Sequence, residues 1–299
     1  MSTPPEINFN RENAKVLMAT IYSFCDKTAE LINQYGNQPK INSPAFNERS
    51  TFSRAESMRT AHAQGSISME SAADHLYAFA ELLSEPIKTL SSWTCVRGLL
   101  ESCALSLWFL DPTIDAMTRA GRSFAFRYKG YEEQIKLYRK LKNLEQINAV
   151  EKRISKVEAD ALSVGFSPLR NKKGQISGIA IPMPGITELI ECTMNREVDY
   201  RLLSAIAHGH HWAINQVSFK VIEIKDSQGN PSKALTKVAI PNYLIYIGMI
   251  AVMSFSEVLW TMWQIYGWDL NELASLLEST YNQLNYNDAP RFWRSHLTG

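Results

Sequence analysis

One stretch of the sequence carries an arginine, a serine and a histidine at spacings that suit acid–base chemistry on a phosphate. Arg201, Ser204 and His208 lie within the mostly apolar run from Asp199 to Trp212. At about 1.5 Å of rise per residue, a helix places Arg201 and His208 on one face, roughly 10 Å apart. A guanidinium stays charged, whereas an imidazole titrates near neutral pH. We therefore expect this face to hold a phosphate and to move a proton.

A second predicted helix supplies a carboxylate. Arg97 and Glu101 lie one turn apart in an apolar run that ends near Leu110. Buried charges require partners, because an unpaired one costs several kcal/mol. We expect this helix to pack against the one that carries Arg201, so that Glu101 meets Arg201 or His208. The alternative is that such a cluster only sets the register of the two helices.

This arrangement predicts RNA cleavage without a metal ion. His208 would take the proton from a ribose 2′-hydroxyl, and Arg201 would stabilise charge on the phosphate oxygens, each contributing about 10² to 10⁴ in rate. Glu101 would orient the imidazole ring or hold the arginine. Ser204 would donate a hydrogen bond to a phosphate oxygen. These four side chains are the predicted catalytic set.

A metal site is an alternative use of the same histidines. His208 and His211 lie three residues apart and could share a zinc or nickel ion with Asp199 or Glu101. Gly209 would weaken the helix that has to hold them, and no HExxH motif is present. We expect no metal and no other cofactor. The further histidines, His62 among them, are interpreted as ordinary polar residues.

The strings around these residues resemble the HEPN superfamily. They are Tyr200-Arg201…Ser204…His208-Gly209 and Arg97-Gly98-Leu99-Leu100-Glu101, and the resemblance, nearest to uncharacterised bacterial HEPN-like proteins, covers residues 70 to 215. It implies an all-helical domain and a metal-independent ribonuclease of a toxin–antitoxin or phage-defence system. Its active site would be completed by two protomers. The implied partners are RNA, a second copy of the chain, and an antitoxin or other defence protein.

Two other functions remain open. Some HEPN members are catalytically silent, so the chain is alternatively a module that binds RNA, a nucleotide or a protein partner. A third hypothesis is a structural helical scaffold whose polar cluster serves packing alone. If the chain is the enzyme, Arg201 and His208 should be reachable from solvent through a basic cleft; if it is the scaffold, they should be sealed behind side chains.

A basic region favours contact with nucleic acid. Between Arg119 and Lys173 there are fourteen basic and six acidic residues, interleaved with phenylalanines and tyrosines. Such a face can follow a phosphate backbone and stack bases, although charge-rich helices are usually just solvated. The predicted substrate-binding residues are Arg97, His211, Arg122, Arg127 and Lys129.

The composition excludes a strong whole-molecule charge. Thirty-one basic and thirty acidic residues give a formal net charge of +1, so a nucleic acid or a membrane would have to be met locally. The four cysteines are scattered without a CxxC pair, which predicts free thiols. No signal peptide is recognisable, so we expect a cytoplasmic protein.

Helical periodicity dominates and predicts an all-α bundle of about seven to eight helices with a β-hairpin inserted near 217–240. Residues 1–67 are predicted as an N-terminal helix with an irregular connection over 37–67, and residues 68–299 as the HEPN-like domain, the two forming one compact unit. The predicted helices cover residues 10–35, 68–83, 86–110, 113–164 (one long or broken helix), 196–213, 243–266 and 269–284. A loop is predicted over 166–186, a short helix capped by Thr187 follows it, and the residues after 284 are predicted as a tail. The apolar helix 243–266 reaches the length of a membrane span, but Glu257 lies in its middle, and we expect a buried core helix and no membrane partner.

Overall fold

The computed structural model of the chain describes residues 11–174, 176–225, 228–237 and 241–284. Within these ranges the chain forms eleven helices and four short strands. They are α1 (Arg11–Gln34), α2 (Pro44–Thr51), α3 (Ala55–Leu82), α4 (Thr89–Leu110), α5 (Ala116–Lys140), α6 (Leu144–Ser163), β1 (Pro168–Arg170), β2 (Ile176–Ile179), α7 (Ile186–Met194), α8 (Glu197–Ala207), α9 (His211–Ser218), β3 (Phe219–Lys225), β4 (Pro231–Lys237), α10 (Pro241–Tyr266) and α11 (Leu270–Gln283). The predicted all-α class is confirmed, and the predicted helix count is too low.

The core is built around α4 and α10, which pack against each other and against α3. The apolar residues of α4 recur so closely that much of its surface is buried, including Trp93, Leu99 and Phe109. α3 and α4 approach closely where Gly98 faces the ring of His75. A Cβ on Gly98 would lie 2.6 Å from that ring, so a larger residue would require the His75 side chain or the helices to shift.

α10 is the one helix in the described ranges that is long and apolar enough to cross a bilayer. Over its best 18-residue window, 72% of the helix is buried inside the protein. Its two tryptophans and its one phenylalanine, Phe255, are buried in the main core, and the helix packs against α1, α4 and α11. The predicted core helix is therefore confirmed. A cytoplasmic location stays a prediction.

The irregular connection predicted over 37–67 is wrong, because this segment contains α2 and the first part of α3. Ser43 caps α2, accepting a hydrogen bond from the Phe46 N–H at 3.2 Å, and Pro44 occupies the first turn. α3 begins at Ala55, thirteen residues before the predicted Ser68. Its buried face in this part includes serines and a histidine, which hid the apolar periodicity.

Two predicted helices are each divided in two. The segment 113–164 forms α5 and α6, separated by a tight turn over Leu141–Asn143, and the segment 196–213 forms α8 and α9. The predicted loop 166–186 contains the small antiparallel pair β1–β2. The hairpin predicted near 217–240 is confirmed as β3–β4, paired from Phe219 opposite Lys237 to Lys225 opposite Pro231.

The N-terminal segment contributes to the same core as the rest of the chain. Ile21 and Phe24 of α1 are fully buried in the cluster that holds α4 and α10. The ring of Phe24 meets that of Phe255 on α10 edge to face, with centroids 5.8 Å apart. The predicted tail 285–299 lies outside the described residues.

Candidate functional site

The predicted motif helix ends at the histidines because Gly209 breaks it. The N–H groups of Gly209 and His210 turn back to the carbonyls of Ile206 and Ala205, at 3.0 and 2.9 Å. This is the Schellman arrangement, which needs a left-handed residue just after the helix. Gly209 supplies it with a φ of +77°. His208 is therefore the C-cap of α8, and α9 leaves in a new direction.

Arg201, Ser204 and His208 follow one another along a face of α8 that is open to solvent. The side chain of Arg201 is 68% exposed, His208 is exposed, and Ser204 is half-buried. Arg201 Nε donates to Glu197 Oε1 at 2.7 Å, one helical turn earlier. The four residues form a polar stripe, here called the α8 stripe: Glu197, Arg201, Ser204 and His208. It is accessible rather than sealed.

Glu101 meets α8 through Tyr200 and not through Arg201 or His208. Glu101 Oε1 accepts hydrogen bonds from Tyr200 Oη and from Arg97 Nε, both at 2.9 Å. α4 and α8 pack together as predicted, but the expected contact is wrong by one residue. Neighbouring residues point about 100° apart around a helix. Tyr200, 4% exposed, faces α4, and Arg201 therefore faces solvent.

Arg97, Glu101 and Tyr200 form a mutually supporting cluster beside the α8 stripe. The guanidinium of Arg97 also lies over the Tyr200 ring, 5.8 Å from its centroid. Burial raises the pKa of Tyr200, and the hydrogen bond to Glu101 raises it further. The phenol therefore stays protonated and keeps donating to the carboxylate. In this geometry Glu101 fixes α8 against α4.

The three histidines stand at the exposed turn between α8 and α9. His210 is the N-cap residue of α9, and His211 and Trp212 begin the helix, with Trp212 61% exposed. Among the described residues no group of three histidine, cysteine, aspartate or glutamate side chains is arranged to hold a metal ion. Asp199, proposed as a ligand in the metal alternative, accepts hydrogen bonds from Tyr246 and Arg196.

The predicted substrate-binding arginines of α5 are largely engaged in packing. Arg122 donates to the Trp108 carbonyl and to Asp111 Oδ2, the latter at 3.3 Å, and lies over the Trp108 ring. Arg127 is half-buried, and Lys129 Nζ donates to Glu132 at 3.1 Å. These residues belong to a different helix pair from the α8 stripe, so the structure does not join the two predicted groups through a shared contact.

A buried charged cluster surrounds Glu48, and the sequence did not predict it. Arg119 and His62 have no exposed side-chain surface, and both bind the Glu48 carboxylate, at 2.8 Å from Arg119 Nε and 2.9 Å from His62 Nε2. Arg119 also donates to the carbonyls of Phe109 and Asp111. The cluster joins α2, α3, α5 and the end of α4. No spacing pattern relates positions 48, 62 and 119, so sequence reasoning had no signal to find it.

The protonation state of His62 follows from its two partners. Arg49 Nε donates to His62 Nδ1 at 3.2 Å, so that nitrogen accepts, and Nε2 carries the proton donated to Glu48. Burial lowers the pKa of His62 and outweighs the neighbouring carboxylate. Burial alone would raise the pKa of Glu48, but hydrogen bonds from His62 and Arg119 lower it. The histidine is neutral and the carboxylate charged.

A hydroxyl pair extends this cluster to α10. Arg49 donates to Tyr266 Oη at 3.3 Å, and that hydroxyl is 3.0 Å from Ser66 Oγ. Ser66 and Tyr266 are both buried, so every polar group in the row is satisfied inside the protein. These hydrogen bonds hold α2 on the bundle, so the role of this row of polar groups is structural.

No protein-family model matches the chain, and no curated protein or solved structure matches it. The HEPN resemblance therefore stays a prediction that rests on the residues quoted for it.

Proposed function

We propose that this chain is a metal-independent, HEPN-like endoribonuclease that acts on RNA at the α8 stripe. The observation that supports the proposal is the solvent exposure of Arg201 and His208 along one face of a single helix, with the half-buried Ser204 between them. A helical scaffold has no need of an exposed guanidinium and imidazole at this spacing. An incoming phosphate, in contrast, could reach all three groups.

The reaction proposed for the stripe is cleavage of the RNA chain by the ribose 2′-hydroxyl next to the phosphate that it attacks. His208 takes the proton of the 2′-hydroxyl, the 2′-oxygen bonds to phosphorus, and the bond from phosphorus to the 5′-oxygen breaks. The 5′-oxygen leaves as an alkoxide and takes a proton from water, and His208 returns its proton to the resulting hydroxide, so the products are a 2′,3′-cyclic phosphate and a 5′-hydroxyl end. Arg201 stabilises the charge on the phosphate oxygens, and Ser204 donates to one of them.

A second copy of the chain fits this proposal. One α8 stripe is an open surface, whereas general acid–base catalysis gains from a site that excludes water. Two stripes facing each other would enclose the phosphate and double the number of guanidinium groups around it. We propose a homodimer for this reason, controlled by an antitoxin or another protein of a bacterial defence system.

Glu101 has a positioning role in the proposed enzyme. Through Tyr200 it holds α8 on α4, and the register of α8 sets where Arg201 and His208 stand. Replacing Glu101 with glutamine keeps an acceptor for the Tyr200 hydroxyl. We therefore expect Glu101→Gln to cleave RNA far better than Glu101→Ala, which leaves both Tyr200 and Arg97 without this partner.

Incubation of labelled RNA with the protein in EDTA tests the proposal. We expect cleavage by the parent and a loss on the order of 10² to 10⁴ in rate for both Arg201→Ala and His208→Ala. His210→Ala is the matched control, because His210 is equally exposed two residues away and lies off the α8 stripe. Equal activity in His208→Ala and the parent would refute the assignment.

The catalytically silent binding module is the second candidate, and one contact favours it. Arg201 is already paired with Glu197, so a phosphate has to compete for the guanidinium. A module that only binds RNA could use the stripe in this weaker way. It would bind RNA without cleaving it, and Glu197→Gln would tighten the binding by releasing Arg201.

A further inference from the structure

The helices α5 and α6 form an antiparallel hairpin whose far end stands away from the bundle. Near the bundle, Phe124, Val157 and Ala161 share a small core with Met58 and Ala61 of α3. Farther out, Ile135 and Val150 remain buried, with exposures of 8% and 0%. The two helices of the hairpin therefore continue to bury apolar side chains towards its far end, where the turn Leu141–Asn143 joins them.

Three leucines are exposed at this end, here called the hairpin tip (residues 136–145). Leu137, Leu141 and Leu144 have 53%, 63% and 73% of their surface open to solvent. Leu137 lies on α5, Leu141 is the C-cap residue of that helix one turn later, and Leu144 begins α6 just beyond the turn. Single exposed leucines are ordinary, but three around one turn form an apolar patch that needs an explanation.

Basic residues surround these leucines. The hairpin tip contains Lys136, Arg139, Lys140 and Lys142, all exposed, and one acidic residue, Glu145. Lys136 pairs with Glu133 at 2.7 Å. Within the described ranges, Arg139, Lys140 and Lys142 form no ion pair. The patch therefore combines apolar side chains with a net positive charge that the fold does not neutralise.

The turn holds Lys142 in a conformation that favours glycine. The N–H groups of Lys142 and Asn143 donate to the carbonyls of Arg139 and Tyr138, at 3.1 and 3.0 Å, and Lys142 has a φ of +54°. This is the Schellman turn again, with lysine at the left-handed position. The Asn143 side chain then caps α6 by accepting from the Gln146 N–H at 3.1 Å. A rigid turn thus presents a lysine where glycine would be easier to accommodate.

We propose that the hairpin tip docks on the surface of a lipid bilayer that contains anionic lipids. The leucines enter the boundary between head groups and acyl chains, and the four basic side chains contact the lipid phosphates and carboxylates. This is peripheral binding by a soluble protein, distinct from a membrane span. It does not depend on the proposed ribonuclease activity.

The shape and chemistry of the tip favour a bilayer over other anionic partners. The leucines project from the convex end of a helical hairpin, and a fluid bilayer can accept a convex apolar end without a preformed groove. RNA offers phosphates to the lysines but no apolar phase for the leucines. Of these two anionic partners, the lipid surface is the one that complements both the charge and the apolar side chains of the tip.

Sedimentation of the full-length protein with vesicles tests the proposal. We expect binding to vesicles of phosphatidylcholine mixed with phosphatidylserine and little binding to phosphatidylcholine alone. Replacing Leu137, Leu141 and Leu144 together by serine should weaken the binding on the order of a hundredfold. Replacing Arg139 and Lys140 together by serine should weaken it roughly tenfold or more, and added salt should act in the same direction.

Two matched variants separate this effect from unfolding. Leu162→Ser removes a leucine that is 54% exposed near the other end of α6, and it should bind vesicles as the parent does. Lys142→Gly removes a charge while relieving the left-handed turn, so it should weaken binding without lowering stability.

Three results would overturn the proposal: no binding to the anionic vesicles, equal binding to the neutral ones, or undiminished binding by the triple serine variant. If vesicles are not bound but Arg139→Ser with Lys140→Ser weakens RNA binding, the hairpin tip is an RNA contact instead.

Discussion

At the scale of single residues, Glu48 joins three helices, α2, α3 and α5, through a buried charged cluster. Its carboxylate is the shared acceptor of His62 and Arg119, neither of which reaches solvent. Removing one member of a buried charge pair leaves the other charge without compensation, which costs about 3 to 5 kcal/mol. The stability of α2 on the bundle therefore depends on this one side chain.

We predict that Glu48→Ala lowers the free energy of unfolding by about 3 to 5 kcal/mol, measured by urea denaturation. Glu56→Ala is the control, since Glu56 is a highly exposed glutamate that pairs with Arg59 on the surface. We expect that change to be small, because exposed ion pairs contribute little. Similar losses in the two variants would contradict the role assigned to the Glu48 cluster.

The cluster also predicts how stability depends on pH. The pKa of His62 is lowered in the folded chain. Below about pH 6.5, His62 is therefore protonated in the unfolded chain while it stays neutral in the folded chain. Stability should therefore fall as the pH drops through this range. The lowered pKa of Glu48 adds a second loss as the pH falls below about 4.5, where the unfolded carboxylate is protonated first.

His62→Gln isolates the first of these two steps. The glutamine amide can still donate to Glu48, but it does not titrate. We expect the variant to be less stable than the parent at neutral pH and to lose less stability between about pH 6.5 and 5. Unfolding free energies over this range measure the difference, and parallel curves for the two proteins would exclude His62 as the titrating group.

At the scale of elements, the turn between α8 and α9 determines where the histidines stand. A Cβ on Gly209 would meet nothing within 4 Å, so the only cost of a larger residue is the φ of +77°. We predict that Gly209→Ala lowers the free energy of unfolding by about 1 kcal/mol. Gly209→Asn should cost less, because asparagine tolerates the left-handed region.

Gly130→Ala is the matched control for the turn. Gly130 lies inside α5, and a Cβ there would also meet nothing within 4 Å. Because alanine is the better helix former by about 1 kcal/mol, this variant should be more stable than the parent. Thermal unfolding of both variants gives the comparison, and an equal response to alanine would contradict the left-handed role of Gly209.

The elements that the sequence predicted well are those with an unbroken apolar stripe. α1, α4, α10 and α11 lie close to their predicted ranges because their core-facing residues are aliphatic or aromatic. α3 was predicted too short, since its first half buries Ser57, His62 and Ser66. In a sequence, a polar residue that will be buried looks the same as one that will be exposed, unless its hydrogen-bond partner is known. Here the partners come from distant segments of the chain.

At the scale of the whole molecule, the sequence predicts that the two helices of the candidate site, α4 and α8, pack together, but it does not predict which residue joins them. The packing of α4 on α8 follows from the apolar faces of both helices, and it is confirmed. The residue that crosses the interface could not be predicted, because the rotation of α8 about its axis is set by its packing against α4, α7 and α9 in the folded chain. A rotation of one residue separates Tyr200, which faces α4, from Arg201, which faces solvent.

The charge of the molecule is also organised locally rather than globally. The formal net charge is +1, yet the hairpin tip and the α8 stripe place unneutralised or partly neutralised basic groups at two separate surfaces. An anionic partner is therefore recognised by a patch and not by the molecule as a whole. Binding at either patch should weaken as salt is added.

The most direct test of the α8 stripe compares an RNA with the same sequence lacking its 2′-hydroxyl groups, each incubated with the protein in EDTA. We predict that the parent cleaves the RNA to ends bearing a 2′,3′-cyclic phosphate and leaves the 2′-deoxy strand intact, and that His208→Ala cleaves neither. An intact RNA after incubation with the parent, or equal cleavage of the two strands, would contradict the account.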